Sequence, residues 1–544
     1  MRASKLDFLT ALSDIDPKYL REFRRFLKPE PKWRIIMKKS MSFTAKMVTA
    51  AAAVVVMLGI VFLPGLLQNR VTPAAAPTEE RPLRICVDMG ASWDGGDGAT
   101  RQEKYFQSLI STYFFFVSHT ESAVELTEEQ VKIECIPSGE DKAAERGAML
   151  QRLRTEIMSG RGPDIFICVC DGLGDQYEVE GSRLFPYVEF AMEDNLFLPL
   201  DEYMTEFTYT DPAQLTEVLL DAGKNKAGEQ VVLPFRYTIP VLYFERKDLE
   251  PVDQSGKTWD DVLTSDDPLL KEHARWAWSV VGGFGKPKRL GPYESALPCI
   301  FPSILDTQSR ALAFTEDELF ELVQKSLPAT QELLKEDSEI LNEAGYFVRT
   351  GLGLHYPLNR SNSGDNDGLT LLPMRNQTGG VTAVIHSYGA INANTAYPKE
   401  AASLLDFFSR AETQTDQLPD IGGSGAVVFG GASTEMCGMP VNKEARKPVR
   451  TRNETGFLFS PWSLDDWERA TEQIDTVHFP SKMDTSLTKM AREIGEELKK
   501  SVDPDDDWPS IRPEHYVNGT ISEERMREIV HETYKKMVEL IGEA

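Results

Sequence analysis

The chain is poor in the residues that most often build catalytic or metal chemistry. Among 544 residues there are 7 histidines and 6 cysteines, and the histidines are scattered. No Ser/His/Asp constellation and no His-metal spacing can be assembled from them. Cys168-Val169-Cys170 lacks the two-residue spacer of a redox pair. Cys86, Cys135, Cys168 and Cys170 sit in apolar runs that read as strands, where a thiol behaves as a small hydrophobe. Positive charge is also scarce: 59 Lys+Arg stand against 85 Asp+Glu, a net charge of −26. Such a surface repels nucleic acid and anionic lipid. The glycine-rich "GASWDGGDG" has neither the dinucleotide spacing nor the lysine of a phosphate loop, and its own acids oppose phosphate. The many carboxylates show no pairing of the kind glycosidases need. "DPDDDW", Asp503 to Trp508, lacks the alternation of a calcium loop. An enzyme, a resident metal and a cofactor are therefore not expected.

One long apolar run is present. Met47 to Leu67, within "KMVTAAAAVVVMLGIVFLPGLLQNR", carries no charge and is long enough to span a hydrocarbon core as a helix. Arg21, Arg24, Arg25, Lys28, Lys32, Arg34, Lys38, Lys39 and Lys46 precede it, and only Arg70, Arg81 and Arg84 follow within similar reach. Positive charge stays on the cytoplasmic side, so residues 1–46 are expected inside and the C-terminal bulk outside. "PAAAP" places a Pro after the possible Ala-x-Ala cut, and no Cys follows for lipid attachment, so the run reads as an uncleaved anchor. Residues 68–82, rich in Pro and Ala, read as a linker.

From Leu83 the pattern is β-α-β-α-β: "LRICVDM", "TRQEKYFQSLISTYFFFVS", "VKIECIPS", "DKAAERGAMLQRLRTEIMSG" and "GPDIFICVCDGLGD". This alternation predicts a parallel sheet with helices on both faces, and ligands gather outside the carboxyl ends of such strands. Val231 to Glu245 reads as one long strand-like passage, and "GLTLLPMRNQTGGVTAVIHSYGAINAN" as further strands with a Ser-Tyr-Gly loop. "YPKEAASLLDFFSR" opens a helix, and the chain closes with two more, "DTSLTKMAREIGEELKKS" and "ISEERMREIVHETYKKMVELIGE".

Seven short motifs in order carry a resemblance. They are "GRGPDIF", "LFLPLDEYM", "LPFRYTIPVLYFERKDL", "KTWDDVL", "GAINANTAYPKEAASLLDFF", "CGMPVNKEA" and "NGTISEERMREI". Together they make residues 83–544 similar to the family-1, sugar-binding type of ABC-importer extracellular solute-binding proteins. The resemblance implies a two-lobed α/β periplasmic-binding-protein-like fold of type II that closes on its ligand like a clamshell. Lobe 1 would comprise 83–238 and 369–412, and lobe 2 would comprise 239–368 and 413–544. The chain would cross between lobes near Thr238 to Tyr243, Leu369 to Met374 and Thr413 to Asp420. The implied function is capture of a carbohydrate by a monomer that delivers it to permease subunits.

By position, the ligand contacts expected are Asp171 after the third strand, and Trp93 and Asp94 in the first β-α loop. Arg236 and Tyr237 on the crossover strand, Tyr388 in the returning chain, and Trp462 complete the set. An alternative function starts from "KLDFLTALSDIDPKYLREFRRFL", which is similar to leaders ahead of membrane helices in some Gram-positive anti-sigma-factor-like proteins. On that reading the chain is a ligand sensor whose cytoplasmic segment engages a regulator. A basic juxtamembrane helix accounts for the same residues through the charge rule alone.

Overall fold

The computed structural model of the chain describes residues 81–88, 98–118, 126–137, 142–169, 183–245, 254, 256–267, 270, 297–335, 347–349, 369–414, 439–446, 468–499 and 521–542. Contacts divide the chain into Met1–Ala75 and Ala76–Ala544. The first unit, and with it the apolar run Met47–Leu67, lies outside the described residues. Among the described residues no helix is long and apolar enough to cross a membrane.

Four strands come first: β1 (Leu83–Asp88), β2 (Val131–Cys135), β3 (Ile165–Val169) and β4 (Val232–Thr238). Then follow β5 (Val241–Glu245), the short pair β6 (Leu305–Asp306) and β7 (Ala311–Leu312), and β8 (Phe347–Arg349). Last are β9 (Leu369–Pro373), β10 (Val381–Ile391), β11 (Met439–Pro440) and β12 (Ile474–His478). The longer helices are α1 (Gly98–Ser118), α2 (Ala143–Met158), α3 (Glu316–Lys335), α4 (Pro398–Ser409), α5 (Lys482–Lys499) and α6 (Glu523–Gly542). The fold is mixed α/β.

The large sheet runs β11-β4-β10-β3-β1-β2, with β12 paired to β10. β1, β2 and β3 are parallel, with Ile85 opposite Ile133 on one side and Ile165 on the other. Every residue of β3 is buried, as a parallel strand covered on both faces requires. Asp164 fixes the entry to β3. Its carboxylate accepts both Arg81 guanidinium nitrogens at 3.0 and 2.7 Å, the Arg84 amide at 2.9 Å and the Thr395 hydroxyl at 2.8 Å. Gly162, two residues earlier, has no room for a side chain: a Cβ there would stand 2.6 Å from Ile157 Cγ1.

Val231 to Glu245, expected as one strand, is two strands in two sheets. β4 pairs antiparallel with β10, while β5 lies between β8 and β9 in a separate three-stranded antiparallel sheet. Ile239 and Pro240 make the break, where Pro240 has no N–H to continue a ladder. The chain returns through residues 374–380. Asn376 shapes this turn: its Oδ1 accepts from the amides of Thr378 and Gly380, both at 3.0 Å, and its Nδ2 donates to Asp475 at 2.8 Å. A third passage, at Phe479–Ser481, links β12 to α5. The crossing expected at Thr413 to Asp420 is described only as far as Gln414.

Two hydrophobic cores result. The first gathers around the large sheet and includes Phe106, Leu153, Phe166, Phe235, Leu405 and Phe407. The second holds Trp259, Val262, Ile300, Phe320 and Val323 with Leu487 of α5 and Ile529 of α6. Tyr187 and Phe190 also pack in this second core, and β11 and β12 pair into the large sheet. These segments run across the sequence division at 238, 368 and 412.

Ser387-Tyr388-Gly389 is not a loop. It lies inside β10, all of whose residues are buried. A Cβ on Gly389 would come within 2.6 Å of Phe235 Cζ and 2.7 Å of Leu405 Cδ2. The glycine is there because β10, its neighbour strand and α4 close over it. The helix itself starts with Pro398 in its first turn, a position where the missing N–H is not needed. Gly389→Ala is expected to overpack this junction and cost about 1–3 kcal/mol, read as a lower urea midpoint. An unchanged midpoint would show that the junction has slack.

Candidate ligand-binding cleft

The carboxyl end of β3 abuts the middle of β10, where Val169 is opposite Ser387, and β1 lies on the other side of β3. Asp88 ends β1. Its Oδ1 accepts from Arg146 of α2 at 2.6 Å, and its Oδ2 accepts the Leu184 amide at 2.8 Å. Arg183 donates to the Pro480 carbonyl at 2.6 Å and so ties this edge to the third passage. His386, enclosed in β10, is pushed down to about 3 by burial and by the positive charges of Arg236 and Arg183. It is neutral at any physiological pH.

Arg236 and Tyr237 neighbour each other on β4 and therefore face opposite sides of the sheet. Arg236 is buried and donates to the Gln414 carbonyl. Tyr237 is fully buried; its hydroxyl is 2.7 Å from Thr471 Oγ1, and Arg446 lies over its ring at 5.6 Å. Tyr388 is buried with its ring edge-on to Phe479 at 5.5 Å. The structure thus brings these three residues to one pair of strands as enclosed side chains. Trp93, Asp94, Asp171 and Trp462 lie outside the described residues.

Next to Phe479 a cleft of about 260 Å³ opens between the large sheet and the second core. Glu189, Thr476, His478, Phe301, Ser303 and Thr307 are among the residues that line it. Sequence reasoning did not single out Glu189 or His478. His478 Nε2 is 2.5 Å from Asp484 Oδ1, and Asp484 Oδ2 accepts the Ser481 amide at 2.6 Å and its hydroxyl at 3.0 Å. This is a capping arrangement at the start of α5, and "SKMD" is its sequence signal. Burial alone would lower the His478 pKa. The charge and hydrogen bond of Asp484, with help from Glu189, outweigh it and raise it. Glu189 is half-buried, but its Oε2 is enclosed and has no hydrogen-bond partner of ordinary geometry. Burial pushes its carboxyl up to about 7, against the opposing pull of His478.

This arrangement suits holding a polar molecule. Among the described residues no group of His, Cys, Asp and Glu is placed to hold a metal. Burial raises the Cys86 thiol well above its usual range and pushes Cys135 up to about 12, so neither is an activated nucleophile.

No family model matches the chain, and no curated protein matches it. Solved structures do overlap it. A periplasmic oligogalacturonide binding protein from Yersinia enterocolitica is 14% identical, with 85% of this chain and 99% of that one covered at a TM-score of 0.43. A family-1 extracellular solute-binding protein from Alicyclobacillus acidocaldarius is 12% identical over 85% and 99%, also at 0.43. A de novo designed cysteine esterase is 14% identical over 86% and 99%, at 0.45.

Proposed function

We propose that the chain is an extracellular solute-binding protein, tethered by Met47–Leu67, that captures a carbohydrate for an ABC importer. The observation that carries the reading is the pair of passages β4–β5 and β9–β10. They link the large sheet to a second sheet and core, with a polar cleft between the two cores. Cores joined by a few short passages can move as bodies about them. A solute that touches both favours the closed arrangement, because only there does it make all its contacts. The motif order from Gly160 to Ile529 adds the solute class. On this reading Asp171, Trp93, Asp94 and Trp462 supply direct contacts, while Arg236, Tyr237 and Tyr388 are enclosed in β4 and β10.

The test is a thermal-shift and calorimetry screen of the full chain against maltotriose, cellotriose, xylotriose and their monosaccharides. A binder at a hundred times its Kd should add about 2.7 kcal/mol of stability. A flat melting profile across the panel would contradict the carbohydrate assignment.

A further inference from the structure

We propose that Glu189 is a direct ligand contact, its carboxylate accepting a hydrogen bond from a hydroxyl of a neutral polyol bound in the cleft. The inference rests on the carbohydrate reading and goes beyond it by naming the residue and the ionic form that binds.

Three observations converge. Glu189 lines the cleft together with Phe301, Ser303 and Thr307, so a molecule there can reach all four. Its Oε2 is enclosed and has no hydrogen-bond partner of ordinary geometry, although the amides of Phe479 and of Glu189 itself lie near the carboxyl and pull against the upward push of burial. A desolvated oxygen of this kind is costly unless something donates to it. Finally, the groups that face it are accounted for. His478 of β12 stands beside it, already engaged with Asp484 of α5, while Arg183 precedes it in the chain and acts on His478. Pro298 and Phe301 to Ile304 line the cleft without a charged group. The hydroxyls of a polyol supply the donors that an enclosed carboxylate oxygen lacks.

The sign of the linked proton follows. A hydroxyl donating to the carboxylate favours its ionised form, so binding lowers the raised Glu189 pKa. Near pH 7 binding therefore releases a proton, and affinity rises from pH 6 to pH 8.

The test uses the full chain and whichever oligosaccharide of the maltotriose, cellotriose and xylotriose panel binds it. Calorimetry in two buffers of different ionisation enthalpy counts the protons released. Wild type should release a fraction of a proton at pH 7. Glu189→Gln should release none, lose the pH dependence and bind about tenfold more weakly at pH 8. Its melting temperature at pH 8 should be no lower than wild type, because an enclosed charge has been removed; a purely structural Glu189 would lower it. Equal affinity and equal proton release in the two proteins would overturn the assignment. So would proton release that survives in Glu189→Gln, which would place the ionisation on His478. If wild type binds none of the panel at any pH, the carbohydrate reading fails and this assignment falls with it.

Discussion

Arg146→Met is expected to destabilise the protein by about 3–5 kcal/mol. Arg146 and Asp88 are 1% and 3% exposed and meet at 2.6 Å. Truncating the guanidinium leaves a carboxylate enclosed at the end of a central strand, where water cannot replace the lost partner. The loss is measured as a drop in ΔG from urea unfolding, with the slope checked for constancy. Removing both charges in Arg146→Met/Asp88→Asn should recover part of it, because the penalty comes chiefly from the stranded charge. A single-mutant loss below about 1 kcal/mol, the range of exposed pairs, would mean that solvent reaches the site.

Trp259→Ala should cost a comparable 3–5 kcal/mol, but in a different place. Trp259 is fully buried in the second core, and its indole N–H points to Ser326 Oγ at 3.4 Å. The helix it begins is capped by Thr258 and Asp261, whose side chains bond each other's backbone. The cavity left by the indole should loosen α3, α5 and α6 first. Hydrogen exchange should therefore show protection lost in those helices while β1, β2 and β3 keep theirs. Equal loss across both sets would show that the two cores unfold as one cooperative unit.

The alternating β1–α1–β2–α2–β3 run was legible because β1 and β3 are short, almost wholly buried apolar strands and the helices between the strands carry a buried apolar face; each leaves a trace in the sequence. Where a strand belongs was less visible. Val231 to Glu245 is mostly apolar, and its pattern does not announce a change of sheet; it holds two prolines, and Pro234 lies within β4 while only Pro240 marks the break. Ser387-Tyr388-Gly389 has the composition of a turn, yet Phe235 and Leu405 decide its conformation, and both are distant in sequence. The same limit applied to the cleft. Arg236 and Tyr237 were reachable through their motif and Tyr388 through its place in the returning chain, neither of which tells an enclosed side chain from an exposed one. Glu189 and His478 meet only in space. In "YVEFAMED" the acid looks like any residue on a helix's wet face.

The place of β10 has a consequence for how the polypeptide is made. It fills the gap between β3 and β4, so Val169 waits for Ser387, about two hundred residues downstream. At ribosomal rates of about 5–20 residues per second that is roughly 10–40 s. Throughout that interval β3, and β4 once it has been made, present unsatisfied edges, and unpaired edges are templates for wrong partners. The nascent chain therefore has good reason to be kept unfolded, or held by a chaperone, until its central strand has been synthesised. Premature folding of the first two hundred residues would produce half a sheet with two sticky sides.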